Sequence, residues 1–379
     1  MTDPLQGALT VLPRIVLLIL GIVLLVVSCV AGLRVGNIVF VASKQFDTST
    51  YDAFGILIEN SSDTIMYFYR QGASHANDKG EIVYRTYAIS TETWGEATTL
   101  YEDDTYDSRN VGGGIIGSHI FIFFNRYDYE TGVGVDIGYM KSTDLSGTSW
   151  GSYNTITVSP LNHLAPHGHI VPTSNASTFL QPFYGSYNAT YKSEVFRTTD
   201  NGATWNVGGT IYSGPIQYGE TCIDYIGGSR MIALLRNNDG GYVGQSMSDD
   251  DGENWGTNTG HNDGAIANTN LGESTGVKIP YLIYDSGTGN CIALYYDRAS
   301  PYALKVSETD ADTVYANPAA WSATIRYTTG KVKNGYPSIV KISNNTCFYV
   351  CAIEESGSDS DIWGGYYPVK WTLWPRDDL

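Results

Sequence analysis

The feature that most constrains this chain is a short motif that recurs at a steady interval. Ser142-Thr143-Asp144-Leu145-Ser146-Gly147-Thr148-Ser149-Trp150, Thr198-Thr199-Asp200-Asn201-Gly202-Ala203-Thr204-Trp205 and Ser248-Asp249-Asp250-Asp251-Gly252-Glu253-Asn254-Trp255 are three versions of S/T-x-D-x-G-x-x-W, the first with one extra residue. Each has the chemistry of a hairpin closure. The Asp carboxylate accepts backbone N–H groups within the turn, Gly takes a positive φ, and Trp folds back to pack beneath. Looser versions occur at Ser90-Thr91-Glu92-Thr93-Trp94 and, with an insertion, between Ser307 and Trp321. Trp94, Trp150, Trp205, Trp255 and Trp321 lie 56, 55, 50 and 66 residues apart, enough chain for four short strands per unit. Strand-like runs precede the motifs, at Thr64 to Tyr69, Ile115 to Phe124, Ile232 to Arg236 and Cys291 to Tyr296.

Composition points the same way. With 42 Gly, 29 Tyr and only 16% charged residues, the chain suits short strands and tight turns, an all-β class. The motifs resemble those of the sialidase-like Asp-box (BNR repeat) family, over about residues 46 to 379. That resemblance implies a six-bladed β-propeller over residues 50–379. Five motif-bearing blades run to about residue 330, and a sixth falls in Gly335 to Trp374, with Asn37 to Val41 as the expected ring-closing strand. It also implies that Asp144, Trp150, Asp200, Trp205, Asp250 and Trp255 are scaffold, away from the ligand site.

Residues 1–34 read as a separate element, a hydrophobic helix, and residues 35–49 as a linker. The 19 residues from Ile15 to Leu33 are almost wholly apolar between Arg14 and Arg34. As a helix they span about 28 Å, close to a bilayer core. A retained transmembrane anchor, a secretory signal and a lipoprotein signal ending at Cys29 all fit, and so does a helix that drives self-association. The expected location is a membrane with an extracytoplasmic head, or a cell or virion surface. A net charge of -17 argues against a nucleic-acid partner. Cys222, Cys291, Cys347 and Cys351 form no C-x-x-C pair, which leaves disulfides and buried thiols both open. His163, His167 and His169 have a spacing that could bind a metal, but the scaffold reading is favoured, so neither metal nor cofactor is expected.

The chemistry comes from the resemblance. In sialidases three arginines clamp the substrate carboxylate, a Tyr activated by a Glu is the nucleophile, and an Asp is the acid and base. Glu220 in Gly219-Glu220-Thr221 followed by Arg236 in Leu234-Leu235-Arg236-Asn237 matches the family's Glu-then-Arg blade, and Tyr336 in Gly335-Tyr336-Pro337-Ser338 stands where the nucleophile is expected. Asp107 is the candidate acid and base, with Arg109 two residues on and Arg298 in Tyr296-Asp297-Arg298 as further cations. The family's first-blade Arg-Ile-Pro motif has no counterpart in Asp52-Ala53-Phe54-Gly55-Ile56, and Arg70 is the substitute at the far end of a strand. Two functions follow. One is a membrane-attached or surface-displayed propeller that engages glycans as a retaining exo-glycosidase. The other is a non-catalytic surface, adhesion or filament protein whose N-terminal helix drives assembly.

Overall fold

A computed structural model describes residues 50–368, apart from residues 76, 159–162, 259, 273–275, 299–302, 323–324, 329–332, 344–345 and 357–358. The expected N-terminal helix, the linker and the strand at Asn37 to Val41 lie outside the described residues.

Nearly all of the regular secondary structure among the described residues is strand. The first sheet begins with β1 (Tyr51–Ser61), β2 (Thr64–Gly72) and β3 (Glu81–Ala88), edged by β4 (Thr93–Trp94) and β5 (Thr98–Tyr101). The second holds β6 (Asp107–Ile116), β7 (His119–Asp128), β8 (Val133–Lys141) and β9 (Asn154–Ile156). The third holds β10 (Ala165–Pro166), β11 (Val171–Pro172), β12 (Phe179–Tyr187), β13 (Thr190–Thr198) and β14 (Asn206–Gly214). The fourth holds β15 (Tyr218–Gly227), β16 (Arg230–Asn237), β17 (Gly244–Ser248) and β18 (Ala267–Asn268). The fifth holds β19 (Lys278–Asp285), β20 (Asn290–Asp297), β21 (Ala303–Asp310) and β22 (Ile325–Thr328), with a short helix α1 (Ala311–Ala316) in its last connection. The chain ends in β23 (Lys333–Ser343), β24 (Thr346–Ser356) and β25 (Asp359–Pro368).

This is an all-β propeller, but hydrogen bonding divides its described residues into five sheets rather than the expected six. The cause is a parallel bridge between Tyr51 of β1 and Ser360 of β25, which merges the first and last strand groups into one eight-stranded sheet, ordered β23-β24-β25-β1-β2-β3-β4 with β5 also paired to β3. A second difference is local. The run Ile115 to Phe124 is not one strand, because the chain reverses at Gly117 (φ 60°) between β6 and β7.

The core lies between sheets. Phe121 and Phe123 of β7 pack with Phe183 and Phe196 of the third sheet, Leu180 and Val195 with Ile223 and Leu235 of the fourth, and Leu234 with Leu282 and Ala293 of the fifth. The repeated motifs fasten these contacts. Asp200 accepts the backbone N–H and hydroxyl of Thr204 (2.9 and 2.6 Å), and Asp250 accepts the backbone and side-chain amides of Asn254 (2.9 and 2.7 Å). The hydrogen bonds from Thr204 and Thr198 hold the Asp200 carboxyl down at about 2.

Gly202 (φ 81°) and Gly252 (φ 78°) need the left-handed conformation and also the missing side chain. A Cβ would come within 2.6 Å of Phe121 at the first and 2.7 Å of Leu180 at the second, each on the preceding sheet. The tryptophans reach the same way. Trp150 meets Phe68 edge-on, Trp205 meets Phe123, and the Trp321 indole donates to Gln245 at 2.9 Å. The motif tryptophan therefore does more than cover its own turn.

These contacts set an order of cost. Trp255 is 1% exposed and its indole donates to Gly252 at 3.0 Å, so Trp255→Ala is expected to destabilise by about 3–5 kcal/mol. Trp150→Ala, at a half-buried side chain, is expected to cost less. Urea unfolding of the full-length protein measures both, and equal costs would contradict the sheet-to-sheet role.

Candidate active site

Topology gathers the chemistry at one end of the sheets. In an antiparallel meander the start of the first strand lies beside the end of the second, and the third strand ends at the opposite edge. The motif turns follow β8, β13 and β17, so they occupy that opposite edge. Asp107 and Arg109 open β6, Glu220 is near the start of β15, Tyr336 is near the start of β23, Arg236 closes β16 and Arg298 follows β20. Arg70 belongs with them. It is far from Ala53 in sequence, yet the β1–β2 register sets the two residues opposite each other, so it lies at the same strand end and not at the far one.

A shared irregularity aims the first strands. The register slips between Ala53 and Ile56 in β1, between Arg109 and Gly112 in β6 and between Gly219 and Cys222 in β15. Each slip contains a residue with positive φ that is not glycine: Phe54 (58°), Asn110 (56°) and Glu220 (27°). Such bulges re-aim side chains at a backbone cost that the surrounding sheet must offset.

The arginines divide by what already holds them. Arg70 is 0% exposed and is saturated: its Nε donates to Asp107 Oδ1 at 2.7 Å, Nη1 to the Ser74 carbonyl at 2.8 Å and Nη2 to Asp78 Oδ1 at 3.1 Å. Asp107 is also fully buried, and its Oδ1 accepts the Gly80 N–H at 2.9 Å. Its Oδ2 has no hydrogen-bond partner and lies 3.6 Å from Arg109 Nη1. Asp107 is therefore placed as the shared counter-ion of two arginines.

Arg109, Arg236 and Arg298 keep unspent donors. Buried N–H groups without an acceptor remain at Arg109 Nε, Arg236 Nε, and Arg298 Nε and Nη2. Arg236 is ion-paired with Glu220 and hydrogen-bonded to the Tyr336 hydroxyl. Burial works against its charge, but Glu220 and Tyr336 together hold its pKa above the usual value. Glu220 is 5% exposed, and its Oε2 has no partner. The Arg298 guanidinium stands 5.8 Å over the Tyr336 ring, and Arg109 lies 5.0 Å over Phe54 and 5.1 Å over Tyr127.

Three residues of this cluster were not singled out from the sequence. Phe54 occupies the first-strand bulge and packs edge-on against Tyr336, with ring centres 4.5 Å apart. Tyr184 feels the charges of Glu220, Tyr336, Arg236 and Arg109, with burial as the main force that pushes its pKa well up. His75, in the β2–β3 loop, shares a 2.6 Å hydrogen bond with the Tyr51 hydroxyl and sits edge-on to Phe54. Burial, then Arg109, Arg70, Arg298 and Arg236, lower its pKa to about 4. The slipped register was the hidden signal for Phe54, and no local motif marks His75.

The histidine spacing does not build a metal set among the described residues. His167 Nε2 lies 3.3 Å from the Pro280 carbonyl, while His169 Nε2 pairs with Asp224 at 3.5 Å. Cys222, Cys291, Cys347 and Cys351 are buried free thiols.

The comparisons with known proteins agree with the fold. The BNR repeat-like domain family matches residues 63–344, so the chain belongs to that family, and its fold is a sialidase-like β-propeller. A Dyadobacter fermentans protein of unknown function superposes with a TM-score of 0.72 at 15% identity, covering 86% of this chain and 97% of that one. A phage phi92 endosialidase gives 0.66 at 11%, covering 89% and 70%. A Trypanosoma rangeli sialidase in complex with sialic acid gives 0.60 at 11%, covering 87% and 58%, so this chain spans little more than half of that protein. No curated protein matches the chain.

Two outcomes test the electrostatics. Asp107→Ala leaves Arg70 charged and buried without its main partner and is expected to destabilise by about 3–5 kcal/mol, read by urea unfolding. The second concerns His75. Its lowered folded-state pKa means that the unfolded chain binds its proton first, so its contribution to stability is complete above about 6.5 and is lost as pH falls toward 4. His75→Asn is expected to flatten that part of the stability–pH curve, measured by thermal melting from pH 7 to pH 4.

Proposed function

We propose that this propeller engages anionic glycans of the sialic acid class and acts on them as a retaining exo-glycosidase. The observation that carries the reading is the set of buried, unspent guanidinium donors on Arg109, Arg236 and Arg298 beside Tyr336 and Glu220. A buried donor without an acceptor is costly, and a carboxylate offers the charge and paired oxygens that satisfy it. Arg109 takes the place left open by Phe54 in the first strand, while Arg70 orients the site from behind through Asp107.

In this reading the Tyr336 oxygen attacks the anomeric carbon and Glu220, through its free Oε2, takes the phenol proton. A neutral phenol approaches an anionic centre with less repulsion than a carboxylate would. Counting the eight-stranded sheet as two blades, β1 to β5 and β23 to β25, gives the six-bladed arrangement of the resemblance. The apolar segment Ile15 to Leu33 serves in this proposal as a membrane anchor that displays the propeller outside the cytoplasm.

A second reading, glycan binding without turnover, is favoured by one observation. Asp107, the acid and base expected from sequence, is fully buried and tied to Arg70 and Gly80.

The test is turnover of fluorogenic sialosides by the full-length protein. Tyr336→Phe and Glu220→Gln are expected to lower kcat by about 10²- to 10⁴-fold. Arg298→Ala is expected to weaken binding of N-acetylneuraminic acid by about 30-fold or more, the loss of one buried charge-paired contact. Binding without turnover would establish the second reading, and neither binding nor turnover would sink both.

A further inference from the structure

The site as described has a nucleophile, its base and an anion clamp, but each of its carboxylates is already paired with an arginine. Asp107 is sealed between Arg70 and Arg109. Asp78 accepts from the Ala73 and Ser74 backbone (2.5 and 3.2 Å), the Ser74 hydroxyl (2.9 Å) and Arg70, and these partners hold its pKa low despite burial. Glu220 is committed to Arg236 and to the Tyr336 proton. A glycosidic oxygen leaving from this site still needs a proton.

We propose that His75 is the catalytic acid and base, donating a proton to the departing glycosidic oxygen. The inference rests on the reading above and moves to His75 the role expected of Asp107. Tyr51 OH holds the ring through Nδ1 at 2.6 Å, which leaves Nε2 as the nitrogen that can carry a proton to a ligand. Tyr51 and Phe54 pin the ring from two sides, each with its centre 5.3 Å away. Phe54 also touches Tyr336 and Arg109, so one aromatic side chain sets the imidazole relative to both the nucleophile and the clamp.

The charges around the imidazole explain how it acquires its proton. Arg70 of β2, Arg109 of β6, Arg236 of β16 and Arg298 after β20 all act on it and disfavour imidazolium. Asp78 of its own loop, Asp107 and Glu220 pair with Arg70, Arg109 and Arg236, the Tyr51 phenol bonds the ring itself, and Tyr336 lies on Phe54. A bound carboxylate neutralises guanidinium charge and makes protonation of His75 easier, so the acid is armed when substrate is present.

The step balances. Tyr336 oxygen bonds to the anomeric carbon and its proton passes to Glu220, while the glycosidic C–O bond breaks with its electron pair on the leaving oxygen, which takes the proton from His75 Nε2. Water then attacks the same carbon and gives its proton to His75. The bond to Tyr336 breaks with its pair on the phenol oxygen, which recovers its proton from Glu220.

The experiment compares two leaving groups on the full-length protein, 4-methylumbelliferyl sialoside and 3'-sialyllactose, with His75→Asn. Asn keeps a polar atom near the Nδ1 position, for Tyr51, and removes the titrating nitrogen. An aryl alcohol leaves with little protonation and a sugar alcohol does not. The expected result is a fall in kcat of about 10²- to 10⁴-fold on sialyllactose, with KM nearly constant and the aryl substrate retained within about 10-fold. Equal losses on both substrates, or no loss on either, would overturn the assignment while leaving the glycosidase reading in place. Wild-type protein inert on both would overturn the glycosidase reading and the acid together. Should His75→Asn lose its cooperative melt, Tyr51→Phe carries the test. A loss confined to sialyllactose supports the role, and a uniform or absent loss overturns it.

Discussion

A short twisted sheet cannot bury both of its faces alone, and in this protein each sheet does so against its neighbour. The contact depends on close approach at the motif turns. A glycine at the apex of each turn lets backbone meet Phe121 or Leu180 of the preceding sheet, and a tryptophan in the same motif covers the seam. Because the motif acts across the junction, its recurrence is a recurrence of interfaces. That is why five tryptophans at blade spacing carry so much information about the fold.

The same strand alternation separates stability from chemistry. Fastening turns lie at the ends of third strands, and the candidate site residues lie at the opposite edge, where first strands begin and second strands end. Substitutions at one edge are therefore felt mainly as loss of packing and at the other mainly as loss of charge balance. The bulges at Phe54 and Glu220 show the cost of the second edge, since neither residue favours positive φ, whereas Asn110 tolerates it more readily.

Charge accounts for the character of the site. The protein as a whole carries a net charge of -17, yet four arginines face one half-buried histidine. Asp107, Asp78 and Glu220 keep that concentration of cations tolerable. The donors left unspent on Arg109, Arg236 and Arg298 are the ones the proposed anionic ligand would satisfy.

Much of this was legible in the amino-acid order. The motif fixed the all-β repeat, because turn chemistry is local: an Asp, a Gly and a Trp at set offsets close a hairpin wherever they occur. Glu220, Arg236 and Tyr336 were readable from their neighbours and do meet around one guanidinium. What local order could not express is which side chain faces which across sheets. Arg70 looked distant from the first-strand site and is brought there by antiparallel register, while Asp107, read from sequence as the acid and base, is enclosed by partners 37 residues upstream and two residues downstream. His75 carries no motif at all. The sheet count also waited on tertiary structure, since a single parallel bridge between Tyr51 and Ser360 joins the two ends of the described chain. Sequence determined the turns, and hence the repeat and the edge on which chemistry would fall. Only the folded structure decided burial and pairing, because both are properties of contacts made between residues far apart along the chain.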